Sequence, residues 1–169
     1  MSLAMVVLVA VTAQRLGELV LAQRNTRRLL ARDAYEVGAS HYPFIVTLHA
    51  AWLASLWWFG WDRPVSLSWL AVFVVLQLLR VWVIATLGAR WTTRIIILPD
   101  APLVRRGPYR FISHPNYAVV VAEIAVLPLA FGLVGLAVVF SILNALVLWV
   151  RIRAEGRGLS TIAPAGAQP

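Results

Sequence analysis

Long apolar runs alternate with short, arginine-bearing polar stretches along the whole chain. A membrane-crossing helix needs ~20 apolar residues, with a range of ~17–25. Five segments meet or approach that length: 3–22, 43–60, 67–88, 117–131 and 133–150. The fourth is short, and Pro128 and Gly132 interrupt its end. The fourth and fifth are therefore expected to form a tight hairpin whose tip barely reaches the far surface. The pattern predicts an all-α integral membrane protein with five transmembrane helices. It forms one domain over residues 1–160, with no internal repeat, and the Ala/Gly/Pro-rich tail 161–169 is expected to be disordered.

The polar stretches are informative too. Residues 94–98 are mostly β-branched, Pro99-Asp100 signals a turn, and Pro102-Leu103-Val104 can return antiparallel. This predicts a small hairpin lying over the bundle. Gly107-Pro108 resets the chain direction, and Pro115 disfavours a helical His114 while suiting the first turn of the fourth helix.

Arginines are distributed unevenly. Twelve lie in the loops after the first and third apolar segments and after the fifth, whereas Arg63 alone lies on the opposite side. Positive charge marks the cytoplasmic side, so the N-terminus is expected outside, with the C-terminus and the two longer loops cytoplasmic. The N-terminal run lacks a basic leader and a small-residue cleavage site, so it is expected to be a retained helix.

Composition narrows the class. The chain is 61% hydrophobic and 13% charged, against ~45–50% and ~25% for ordinary soluble domains; its mean hydropathy is +0.80. With no cysteine, disulfides, thiolate metal sites and a cysteine nucleophile are excluded. All fifteen basic residues are arginine, which excludes lysine Schiff bases and a Walker-type phosphate loop. The net charge of +8 is accounted for by topology signals and anionic membrane lipids, so no nucleic-acid partner is expected. No motif specifies an oligomeric state.

Four ionisable residues fall inside the spans: Arg15, Glu18, Arg80 and Glu123. Counted back from the helix ends they share a depth of roughly 6–12 Å, so one polar cluster is allowed. It serves either as an ion-pair lock or as part of a cavity wall. Arg151 and Glu155, four apart, share a helix face. They are either a snorkelling arginine with a surface partner or the closure of a polar pocket with 107–117. His114 has no second ligand at metal spacing, so no metal site is expected; it is a loop histidine or it presents its ring to a cofactor. Asn144 is a helix–helix bonding group or a ligand group. His41 and His49 stand alone as structural groups. Of the tryptophans, Trp57, Trp58, Trp61 and Trp149 fit an interfacial belt, and Trp91 is the one set to do more.

The span from Arg80 to Glu123, through Leu87-Gly88, Trp91-Thr92, Gly107-Pro108-Tyr109-Arg110 and His114-Pro115-Asn116-Tyr117, resembles the isoprenylcysteine carboxyl methyltransferase family. Arg151 to Glu155 is similar to that family's C-terminal Arg…Glu-Glu signature, placing the motif region over 80–155. The resemblance implies S-adenosylmethionine, converted to S-adenosylhomocysteine, bound at the cytoplasmic face. Tyr109, His114, Pro115, Asn116, Tyr117 and Glu155 would hold it, and Arg151 would steer the acceptor oxygen. The acceptor would be a lipophilic small molecule entering from the bilayer of a bacterial inner membrane. Three positions depart from the family pattern: Ser113 replaces an arginine, Val119 a glycine, and Gly156 the second glutamate. Together with the run His114 to Glu123, they resemble a bacterial branch that methylates alkylpyrone or alkylresorcinol hydroxyls more than enzymes acting on prenylated protein.

An acceptor already ionised at neutral pH needs only a cation, which Arg151 or Arg80 can supply. A phenol, with pKa near ~10, also wants a base, for which Glu123 and His114 are the candidates. Two rival readings are a sterol-type reductase and a non-catalytic scaffold with a decayed site.

Overall fold

The computed structural model describes residues 2–99 and 101–160, with side chains as far as Gly156 on the last helix. The expected tail 161–169 lies outside the described residues, as does Asp100 of the expected turn. Five helices form: α1 (Leu3–Leu30), α2 (Tyr42–Gly60), α3 (Leu67–Leu87), α4 (Pro115–Ala130) and α5 (Val134–Ser160). All but α4 are long and apolar enough to cross a membrane. Two helices run past their apolar segments. α1 continues through Arg24, Arg27 and Arg28, because arginine is a good helix former and a cation suits a helix C-terminus. α5 likewise carries Arg151 and Glu155 on regular helix.

Leu8 of α1, Trp52 and Leu56 of α2, Phe73 of α3, Ile124 and Leu127 of α4, Phe131 after it and Phe140 of α5 form the centre of the core. Large apolar side chains such as Leu78, Val81, Val138 and Ile142 point outward, the surface a bilayer would cover. Pro128 sits inside α4 and has no N–H for the carbonyl of Ile124 four residues earlier. The Trp52 indole supplies the donor at 3.3 Å. α4 then ends sharply. Gly132 adopts φ +69, and the N–H groups of Gly132 and Leu133 return to the carbonyls of Leu129 and Pro128 at 3.0 and 2.9 Å, which satisfies the helix end without side chains. The expected tight hairpin between the fourth and fifth spans is built on this turn. Next to it, the Ser66 N–H donates to the Ala130 carbonyl at 2.8 Å.

The expected hairpin within the third loop is corrected. The strand β2 (Ile95–Ile97) does form, but its partner is β1 (Tyr35–Val37), in the loop after α1. Residues 102–104 are not a strand. A two-stranded ribbon thus ties the α1–α2 loop to the α3–α4 loop. Arg94 reinforces it, holding the Glu36 carboxylate at 2.8 Å and lying 4.6 Å over the Tyr42 ring. That bond to Glu36 holds the Arg94 charge more firmly than usual. The ribbon lies at the end of the bundle where α1, α3 and α5 finish and α4 begins.

Candidate functional site

Two polar centres emerge, one within the bundle and one at its ribbon end. In the first, Arg80 binds both oxygens of Glu18, with Nε to Oε1 at 2.5 Å and Nη2 to Oε2 at 2.6 Å. It also reaches Glu123 Oε2 through Nη1 at 2.9 Å. Arg15 bridges the same two acids, at 2.8 Å to Glu123 and 3.1 Å to Glu18. The single cluster of four that their shared depth allows is therefore present. Two glutamines complete it: Gln77 donates to Glu123 at 2.8 Å, and Gln14 to Glu18 at 3.0 Å and to Gln77 at 2.6 Å. Sequence reading missed both, although Gln14 stands four residues before Glu18 and Gln77 three before Arg80, each on the face of its charged neighbour. Two cations and two anions cancel, so the group is neutral as a unit. Such a group resists loss of any one member, since the remainder would be buried and unpaired.

The second centre is a cavity of about 1390 Å³. Leu29, Leu87, Ile95, Ile97 and Leu98 give it apolar walls, and Arg90, Arg110, Tyr109, Ser113, His114, Asn116, Tyr117, Arg151 and Glu155 give it polar ones. Six of the expected site residues therefore meet there: Tyr109, His114, Asn116, Tyr117, Arg151 and Glu155. Pro115, the first residue of α4, is buried and is not among the lining residues. Arg80 and Glu123, considered above as catalytic groups, belong to the bundle cluster and are not among the lining residues.

Local sequence explains how the wall is placed. Gly107 takes φ +57, and a Cβ there would lie 2.5 Å from Thr86 Oγ1, so the Gly-Pro-Tyr-Arg turn can lie against the end of α3 only as glycine. The turn presents Tyr109, whose phenol is pushed up to about 12 by burial and then by the nearby Glu155 charge. On the other wall, the buried Asn25 of α1 donates to the carbonyls of Gly88 and Trp91 at 3.1 and 2.8 Å. That fixes the chain on which Trp91 sits, with its indole N–H buried and without a partner. Trp91 is therefore a cavity residue, not part of a belt; Trp57 also turns inward, donating to Thr12 Oγ1 at 3.0 Å.

The polar centre of the cavity is a three-membered contact between α4 and α5. The Tyr117 hydroxyl donates to Glu155 Oε2 at 2.5 Å and accepts from Arg151 Nε at 2.9 Å. Arg151 and Glu155 thus meet through Tyr117. The His114 ring stacks on Tyr117, with centroids 5.2 Å apart and planes 13° from parallel, and its Nδ1 lies 4.0 Å from the same Glu155 oxygen. Asn116 Oδ1 is buried without a partner. Of the three departures from the family pattern, Ser113 lines the cavity and Val119 is packed inside the bundle. A Cβ at Gly156 would meet open space, so nothing there excludes a larger residue. Asn144, two turns before Arg151, is buried with its Nδ2 unpartnered. Among the described residues no group of three or more His, Asp or Glu side chains is arranged to hold a metal ion.

A family model described as the isoprenylcysteine carboxyl methyltransferase family matches residues 69–161. The chain is 38% identical over 159 residues to the uncharacterized protein YpbQ of Bacillus subtilis (strain 168), covering 86% of this chain and 90% of that protein. It is also 25% identical over 160 residues to an uncharacterized protein of Haemophilus influenzae, covering 91% and 93%. No solved structure matches.

Proposed function

The chain belongs to the isoprenylcysteine carboxyl methyltransferase family, and on that premise we propose that it is an S-adenosylmethionine-dependent O-methyltransferase of the membrane. Its acceptor is a lipophilic molecule bearing a carboxylate or hydroxyl, a small lipid of the alkylpyrone type rather than a prenylated protein. The observation that carries this reading is the cavity itself. A single-ligand site typically occupies ~300–1,000 Å³, so about 1390 Å³ accommodates a cofactor and an acceptor head together.

The residues present suit the cofactor. A carboxylate at Glu155 and the ring faces of Tyr109, Tyr117 and His114 favour a sulfonium and an ammonium. Arg90 and Arg110 favour a carboxylate. The unpartnered Asn116 Oδ1 and Trp91 indole N–H offer an acceptor and a donor that ribose, amino or ring-nitrogen groups would satisfy. When bound, S-adenosylmethionine supplies an electrophilic methyl group. The protein's task is to orient the acceptor oxygen and keep water away. Arg151 supplies the orienting charge, and Leu29, Leu87, Ile95 and Ile97 the dry wall along which an alkyl chain extends. The intact Arg151–Tyr117–Glu155 contact argues against a decayed site. We place the ribbon end of the bundle in the cytoplasm of a bacterial cell, on the strength of the arginine distribution.

The test is incubation of the purified protein with methyl-labelled S-adenosylmethionine and a bacterial lipid extract, read by mass spectrometry. One lipid gaining one labelled methyl group supports the reading and names the acceptor. Folded protein that labels nothing, and that binds no S-adenosylhomocysteine by calorimetry, overturns it.

A further inference from the structure

We propose that Tyr117 and Glu155 form a proton relay that lets the site methylate an acceptor hydroxyl still carrying its proton. This rests on the methyl-transfer reading and adds the base that a phenolic acceptor needs. Neither candidate from the sequence is well placed. Glu123 is consumed by Arg15, Arg80 and Gln77 inside the bundle. The His114 ring lies stacked on Tyr117 with its Nδ1 beyond hydrogen-bond reach of Glu155.

The Tyr117 hydroxyl already donates to a carboxylate at 2.5 Å and accepts from a guanidinium at 2.9 Å. A phenolic oxygen has a second lone pair, free in number for an acceptor hydroxyl. The step balances as follows. The acceptor O–H bond breaks, and its proton passes to Tyr117 Oη while the proton already on Tyr117 passes to Glu155 Oε2. The acceptor oxygen forms the O–CH3 bond, and the S–CH3 bond breaks with its electron pair left on sulfur. A sulfonium and a carboxylate become a neutral thioether and a neutral acid, so the net charge of the cavity is unchanged. Arg151 stays protonated and holds the shared oxygen in place. Glu155, with 26% of its own side chain exposed, releases the proton to water directly.

The experiment uses the full-length protein in lipid nanodiscs with two acceptors of matched alkyl chain: an enolic acid ionised at neutral pH and a phenol. Because any shared weakening of cofactor binding cancels, turnover is read as the ratio of the two. Y117F and E155Q are expected to lower the phenol-to-acid ratio ~100-fold or more, the usual contribution of a general base being ~10²–10⁴. Binding supplies a second readout. The wild type should hold the phenol ~5–10-fold more tightly than its methyl ether, as one hydrogen bond would give, and Y117F should erase that difference. If wild type turns over both acceptors and Y117F lowers both equally, the relay is overturned while methyl transfer stands. If wild type turns over the acid but not the phenol, the relay alone is overturned; if folded wild type turns over neither, labels no lipid of a bacterial extract and binds no S-adenosylhomocysteine, both fall.

Discussion

Trp52 on α2 donates its indole N–H to the carbonyl of Ile124 on α4 at 3.3 Å, the group that Pro128 leaves without a helical donor. Hydrocarbon offers no water to satisfy such a carbonyl. Trp52→Phe should therefore cost about 1–3 kcal/mol for the buried unsatisfied acceptor, beyond the volume lost. Pro128→Ala restores a backbone donor to the same carbonyl, so the tryptophan substitution should cost less in that background. Unfolding in detergent across the double-mutant cycle measures the coupling; strictly additive losses would contradict it.

The neutral cluster predicts a second non-additive pair. Arg80→Met leaves Glu18 and Glu123 with only Arg15 between them and should destabilise the bundle by about 3–5 kcal/mol. Adding Glu18→Gln restores charge balance and should recover part of the loss. Detergent melting temperature reports this, and a double variant less stable than Arg80→Met would refute the charge argument.

At the cavity, Glu155→Gln removes the carboxylate expected to hold a cationic group of the cofactor. A bond to a charged group contributes about 1.5–3 kcal/mol, so S-adenosylhomocysteine should bind at least tenfold more weakly by calorimetry. Unaltered affinity would remove Glu155 from the cofactor site.

Gly107→Ala places a Cβ 2.5 Å from Thr86 Oγ1 at φ +57. A non-glycine residue in that conformation costs of order 1–2 kcal/mol, and the clash adds to it. Cofactor affinity should fall with stability, because the turn carries Tyr109 and leads into His114. Thr86→Ala in the same chain should relieve the clash but not the strain; full recovery by Thr86→Ala would show that backbone conformation is irrelevant there.

Tyr109 gives a pH signature. Its phenol is pushed up to about 12 by burial and by the Glu155 charge, against ~10 in an unfolded chain. The proton is thus held more tightly in the folded state. This stabilisation is complete below pH ~10 and is lost as pH rises toward about 12. Tyrosinate absorbance should show a late-titrating phenol that Tyr109→Phe removes, and stability should fall less steeply over that window in the variant. A Tyr109 that ionises near pH ~10 defeats this prediction.

The parts of the fold written in local pattern were legible from the chain. Apolar runs placed all five helices, and counting depth from their ends brought Arg15, Glu18, Arg80 and Glu123 together. Non-local pairing was not legible. The β-branched run at Ile95–Ile97 was recognisable as a strand, but its partner Tyr35–Val37 is three residues long and sixty residues away. Nothing local marks so short a segment as a partner. The same holds for Tyr117. Motif resemblance put it on the cofactor wall, but its position between Arg151 and Glu155 depends on how α4 and α5 cross. Trp52 and Pro128 each look ordinary alone, and only their proximity reveals that one compensates the other.

The bundle cluster also bears on how the chain enters the bilayer. A charged residue at the centre of an inserting helix costs about 2.5–3.5 kcal/mol. On α1, Arg15 and Glu18 pair within the helix at 3.1 Å, so that segment can insert without exposing a net charge. α3 carries Arg80 with no acid of its own, but its mean hydropathy of 2.3 is the highest of the spans, which offsets the arginine. α4 is short and brings Glu123 with no cation. Translocation machinery should therefore take up α1 and α3 readily and hold α4 least well by itself. The last acid partitions securely only once two arginines already wait in the membrane to receive it.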